Sequence, residues 1–276
     1  MDLLLRAYPL YGMRPMEDID LLIHVEDIPR VKSLLEEKGF KRIPDEGLTY
    51  LSPERKLNLD MIWDIWYLQN ASALWQRAVD REFEGITIQS LHPEDALFYF
   101  VAFVVAHRGV LSSLFAQDLD CFLEREGSQI HWERWIEEVN RLHFRPAFYH
   151  GLSYAKERGL QRIPERVLDS LRPVAFHERM LTLFYKMMAT EEGRPDISYL
   201  HTWFSYPGVR GKMKLLKEKL LPTQLEVTVH YGEKTQSRYA LLVMIRPLVL
   251  LLKGFILVAK DAFFLLHRLF VPRCKR

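Results

Sequence analysis

Asp18-Ile19-Asp20-Leu21-Leu22-Ile23-His24-Val25 is the stretch around which the chain is organised. From Ile19 to Val25 it is apolar and rich in β-formers, and the breaker-rich Gly12-Met13-Arg14-Pro15 precedes it, which predicts a buried strand. Asp27 then stands at the N-cap position of an amphipathic run, Ile28 through Lys38. Ile28, Val31, Leu34 and Leu35 fall at helical spacing, and Gly39 marks the stop. One strand-then-helix unit is complete by residue 39. Further out, Leu48 to Leu51 and Leu57 to Trp63 are two strand-like runs joined by the polar Ser52-Pro53-Glu54-Arg55-Lys56, a connection of hairpin length. Trp75, Phe83 and Ile86-Thr87-Ile88 give mixed signals, read as a short helix and a last strand.

At Leu91 the character changes. Pro93-Glu94-Asp95 opens the apolar run Ala96 to Ala106, with proline at a first helical turn and acids near the positive helix end. Helices are predicted over 93–107, 112–125, 131–141, 146–158, 164–171, 174–190 and 209–220, separated by Gly, Pro or polar breaks. The expected class is α+β, with a strand-and-helix domain over 1–90, a helical domain over 91–200 and a basic, apolar helical tail over 201–276.

The length of 276 residues suits one large domain or two modest ones. With 49% hydrophobic and 27% charged residues, the chain is neither disordered nor a multi-span membrane protein. Cys121 and Cys274 make no metal-like pair, and no Gly-rich phosphate loop or nucleophile elbow occurs, which removes zinc-knuckle, ATPase, dehydrogenase and α/β-hydrolase readings. Met1 to Arg6 lacks the pattern of a signal peptide, so a cytoplasmic protein is expected.

A net charge of +2 hides an asymmetry. Residues 200–276 carry 14 Lys and Arg against 4 Asp and Glu, leaving 24 against 32 for the remainder. Between Ala240 and Val271, Arg246, Lys253, Lys260 and His267 recur every seven residues, which on a helix drifts only ~20° per repeat and leaves one narrow polar stripe in an apolar surface. That pattern suits an anionic membrane surface contacted through residues 240–271, at the inner face of the membrane; a helix docked on the acidic body is the alternative. Its apolar richness argues against a nucleic-acid partner.

Two carboxylates spaced as Asp18-x-Asp20 leave a strand on the same face. Asp60 lies inside the apolar run Leu57–Trp63, where a charge is costly unless paired or coordinated. If the strands are neighbours, three oxygen donors converge in a set that suits Mg²⁺, with a turn-forming and a solvated Asp as the bland alternative. Asp118 and Asp120 form a second such pair, but two residues apart on a helix they diverge. His92 and His107 read as structural, and Trp63, Trp66 and Trp75 as packing ahead of base stacking.

The run from Tyr8-Pro9 through Gly12-Met13-Arg14-Pro15-Met16-Glu17-Asp18-Ile19-Asp20, the helix ending Lys38-Gly39-Phe40, and Leu59-Asp60-Met61-Ile62-Trp63 together resemble the uncharacterised bacterial nucleotidyltransferase family of the polymerase-β-like superfamily. Leu91-His92-Pro93-Glu94-Asp95, His107, Asp118-Leu119, Trp132 and Ile163-Pro164 are similar to later landmarks of that family. The resemblance implies a small mixed sheet flanked by helices. It also implies Mg²⁺ held by Asp18 and Asp20 and completed by Asp60, which would help activate an acceptor hydroxyl. The reaction would move a nucleoside monophosphate from an NTP to an unknown acceptor, with Arg14 contacting phosphate or forming an ion pair with Glu17 or Asp18. The sequence departs from the family in one respect. Seventeen residues precede Asp18, and Met1 to Ala7 holds no glycine, so the family's first strand and glycine turn are expected to be missing. Two competing readings are a catalytically inactive, membrane-associated binding or scaffold protein and, more weakly, an Asp-x-Asp glycosyltransferase.

Overall fold

A computed structural model describes residues 2–188, apart from 11, 12, 15, 17, 44–46, 69, 70 and 110, together with residues 210, 212, 213, 216 and 217. Those last five are helical. The rest of the predicted helix over 209–220, the end of the helix predicted over 174–190, and the basic stripe of 240–271 lie outside the described residues. Two compact units divide between His92 and Pro93.

The first unit is built on a four-stranded mixed sheet of order β1-β4-β3-β2: β1 (Asp18–Leu22), β2 (Lys41–Arg42), β3 (Thr49–Leu51) and β4 (Asn58–Ile62). β1 runs parallel to β4, and β3 pairs antiparallel with both β4 and β2. Alternation along the strands decides what each face carries. Odd-numbered Ile23, Leu59, Met61 and Trp63 join Leu48 and Tyr50 in an apolar cluster with Ile28, Val31 and Leu35 of α2 (Ile28–Glu37). Even-numbered residues of β1 and β4 are thereby assigned to the opposite face. Burial pushes the Tyr50 phenol above its ordinary pKa, with Glu36 adding to the shift and Arg42 opposing it.

α2 follows a single 3₁₀ turn, Val25–Asp27. Asp27 occupies the expected N-cap, yet its helical backbone angles leave its carboxylate without a capping bond. The other end closes in full. Gly39 adopts φ +81°, its N–H donates to Glu36, and Phe40 N–H donates to Leu35, satisfying two terminal carbonyls.

The segment after β4 differs from the expected helix and one strand. α3 (Ser72–Arg77) is followed by a separate two-stranded ribbon, β5 (Val79–Phe83) and β6 (Ile86–Ser90). At the N-terminus, α1 (Asp2–Ala7) carries the buried Arg6, whose guanidinium donates to Ser90 Oγ at 2.6 Å and to the Leu91 carbonyl. α1 and the end of the ribbon are thus tied by a buried charge-assisted contact.

The second unit is helical: α4 (Pro93–Ala102), α5 (Ser113–Glu126), α6 (Trp132–Arg141), α7 (Arg145–Glu157), α8 (Glu165–Leu171) and α9 (Phe176–Met188). The run predicted as one helix to residue 107 instead switches to π-helical pitch over Phe103–Arg108. Its core is aromatic, with Phe98 packed on Trp135, Phe144 and Phe148 at centroid separations of 6.4, 5.2 and 4.7 Å. Gly151 of α7 lies against the π segment so closely that a Cβ there would stand 2.6 Å from Val105 Cγ2. Glu94 is buried: one carboxylate oxygen accepts from His131 N–H, at the start of α6, at 2.9 Å, and the other from Arg134 Nε at 3.0 Å. It thereby holds α4 to the first turn of α6.

Candidate functional site

The parallel pairing of β1 with β4 sets Asp20 directly opposite Asp60 and Asp18 opposite Asn58. Residues paired this way across parallel strands project to the same side, and strands lie about 4.8 Å apart. Asp18, Asp20 and Asp60 therefore share the face turned away from the α2 core. Asp20 is exposed, while Asp18 and Asp60 are half-buried. Arg14 lies half-buried in the bend ahead of β1.

The neighbouring strand contributes a residue that reading the sequence passed over. Thr49 is paired with Asp60 across β3 and β4, is itself buried, and donates its hydroxyl to Asp60 Oδ1. This bond fixes one oxygen of the carboxylate and leaves the other lone pairs for further donors. The signal was legible in principle: once the hairpin is assumed, Thr49 and Asp60 fall on the same face.

The register brings the three acidic positions together, but their side chains are not drawn into one ligand cluster. Among the described residues no group of three His, Cys, Asp or Glu side chains is placed to hold a metal ion. The donor set itself fits a hard divalent cation, since carboxylate oxygens from adjacent strands are the ligands such an ion takes, together with water and substrate phosphates.

The remaining candidates lie outside the carboxylate set. Trp63 packs into the apolar cluster, Trp66 meets Tyr67 edge-on at 5.3 Å, and Trp75 stacks on His24 at 4.0 Å. His107 lies in the π segment with its ring 5.2 Å from Phe103. Asp118 is buried on α5, whereas Asp120 pairs with Arg162 at 3.1 Å, so these two acids do diverge. No described helix is long and apolar enough to cross a membrane.

No curated protein and no solved structure matched the chain. Residues 3–159, more than half of the sequence, match the model of a family described as uncharacterised nucleotidyltransferase. That match spans the whole of the described sheet and continues through α7, so it includes all three carboxylates and Thr49. The chain belongs to the uncharacterised nucleotidyltransferase family.

Proposed function

We propose that the protein transfers a nucleoside monophosphate from an NTP to an acceptor hydroxyl, using the carboxylate face of β1 and β4. The observation that carries this reading is the register: Asp20 opposite Asp60 on parallel strands, with Asp18 two residues along the same face. Family membership supports the reaction class.

In this reading Asp18 and Asp20 hold Mg²⁺ and Asp60 completes the set. When bound, the cation supplies charge neutralisation for the triphosphate and its pyrophosphate leaving group. Asp60, oriented by the Thr49 hydroxyl, accepts the proton of the attacking hydroxyl. Arg14, with a planar fork suited to phosphate oxygens, steadies the triphosphate ahead of β1. We assign the segment 240–271 to contact with anionic head groups, on its apolar surface and basic stripe, which would place the protein peripherally at the inner face of the membrane.

Label transfer tests the reaction. NTPs labelled at the α- or γ-phosphate are incubated with Mg²⁺ and cell extract as the acceptor source, alongside the Asp18→Ala, Asp20→Ala double variant. The expected result is α-label carried into a product by the wild type and not by the variant. Transfer of γ-label alone, or α-transfer that survives in the variant, would overturn the proposal.

A further inference from the structure

His24, two residues past the end of β1, stacks on Trp75 of α3. Their ring centroids are 4.0 Å apart and the rings are inclined by only 22°. His24 is exposed and Trp75 half-buried, so the imidazole presents its outer face while the indole backs it. Its position relative to the carboxylates follows from the backbone. Ile23 still pairs with β4, its N–H donating to the Ile62 carbonyl at 2.8 Å, and its side chain packs into the apolar cluster. His24 is extended, with φ −69° and ψ 142°, so its ring leaves on the other side, which Asp18 and Asp20 share. Four residues separate Asp20 from His24, about 13 Å at ~3.3 Å per residue. That length matches the reach of a nucleotide from its phosphates to its base. The pair also lies beyond the carboxyl end of parallel strands, where open sheets place their ligands.

We infer that His24, backed by Trp75, is the platform on which the nucleobase of the NTP stacks. The inference rests on the proposed use of Asp18 and Asp20 at the triphosphate. Nothing fits between two rings in contact at 4.0 Å, so the base lies on the outer imidazole face and extends the stack to three layers. An aromatic face is offered without donors or acceptors in the plane of the base, so the platform accepts any nucleobase and contributes affinity more than base selectivity.

The test compares ligands with and without a base. ATP, GTP, CTP, UTP and inorganic tripolyphosphate are each titrated with Mg²⁺ into the full-length wild type, His24→Ala, Trp75→Leu and Trp75→Phe. His24 is exposed, so its alanine variant is the primary one, with circular dichroism to verify the fold. His24→Ala is expected to weaken all four NTPs about tenfold, the effect of losing one base stack, while tripolyphosphate binds as to the wild type. Trp75→Leu should do the same, and Trp75→Phe should retain most of the affinity. NTP binding unchanged in folded His24→Ala, or an equal loss for tripolyphosphate, would overturn the platform while leaving the carboxylate site standing. Failure of the wild type to bind any of the five ligands would overturn both.

Discussion

Acidic side chains do different work in the two units. In the helical unit they hold helices in place: Glu94 joins α4 to the start of α6, Arg162 bridges Asp120 and Glu124 on α5, Glu165 accepts a hydrogen bond from Lys156, and Arg145 of α7 lies 3.7 Å from Glu178 of α9. In the sheet unit, three acids share one face of two adjacent strands, and the contact made by Asp60 is to an uncharged hydroxyl. Charges with a cationic partner across an element boundary stabilise the fold. Carboxylates gathered on one sheet face offer oxygen donors to a shared cation. The second arrangement is the one to test for function.

The widest separation between the two regions should come from substitution at the carboxylates. Asp18→Ala with Asp20→Ala is expected to reduce nucleotidyl transfer by several orders of magnitude, as loss of a catalytic metal site does. The thermal midpoint should stay within a few degrees of the wild type, since Asp20 is exposed and Asp18 half-buried. A fall in the midpoint of many degrees would mean that these residues are structural after all.

In the helical unit the pattern reverses. Gly151→Ala forces a Cβ against the stiff, branched Val105, and should cost about 1–3 kcal/mol by thermal or denaturant unfolding. Nucleotide binding, measured below the transition, should be unchanged. Glu94→Gln loses the charge of a buried carboxylate facing a guanidinium that is 56% exposed. Solvent screening of Arg134 holds the expected loss to about 1–2 kcal/mol.

How far these roles could be read beforehand depended on periodicity. The alternation of Asp18, Asp20 and Asp60 against Ile19, Leu59 and Met61 was visible in the chain, as was the β3–β4 hairpin and the Gly39 stop. β2 was not, because Lys41–Arg42 is two charged residues whose strand character comes from pairing with β3. β5 escaped because Asp80-Arg81-Glu82 is polar, although Glu84-Gly85, at φ +50° and +77°, carries the residue pattern of a tight hairpin turn. The π pitch at Phe103–Arg108 has no signature in an unbroken apolar run. The stack of His24 on Trp75 joins residues 51 positions apart and arises from where α3 returns, which no local pattern encodes.

Smaller effects sharpen the contrast. Thr49→Val keeps the shape of a buried residue but removes the hydroxyl donated to Asp60, for a stability change of about 1 kcal/mol. Its larger consequence should be a lowered kcat with little change in KM, as expected for a residue that orients the proton acceptor. The smallest effect belongs to the exposed Lys156–Glu165 pair. The hydrogen bond and charge of Lys156 lower the Glu165 pKa, so its stabilisation is present above the ordinary carboxylate range and lost as the pH falls through the lowered value. Glu165→Gln should therefore differ from wild type slightly at neutral pH, and the two melting curves should merge in acid.

The central claim, that Asp18, Asp20 and Asp60 form a cation-dependent nucleotide site, is tested most directly by calorimetric titration of each NTP into wild type and the Asp18→Ala, Asp20→Ala variant, with Mg²⁺ and with a chelator. The account predicts binding by the wild type that needs Mg²⁺ and is absent from the variant. Equal binding by the folded variant, binding indifferent to Mg²⁺, or none by folded wild type would contradict it.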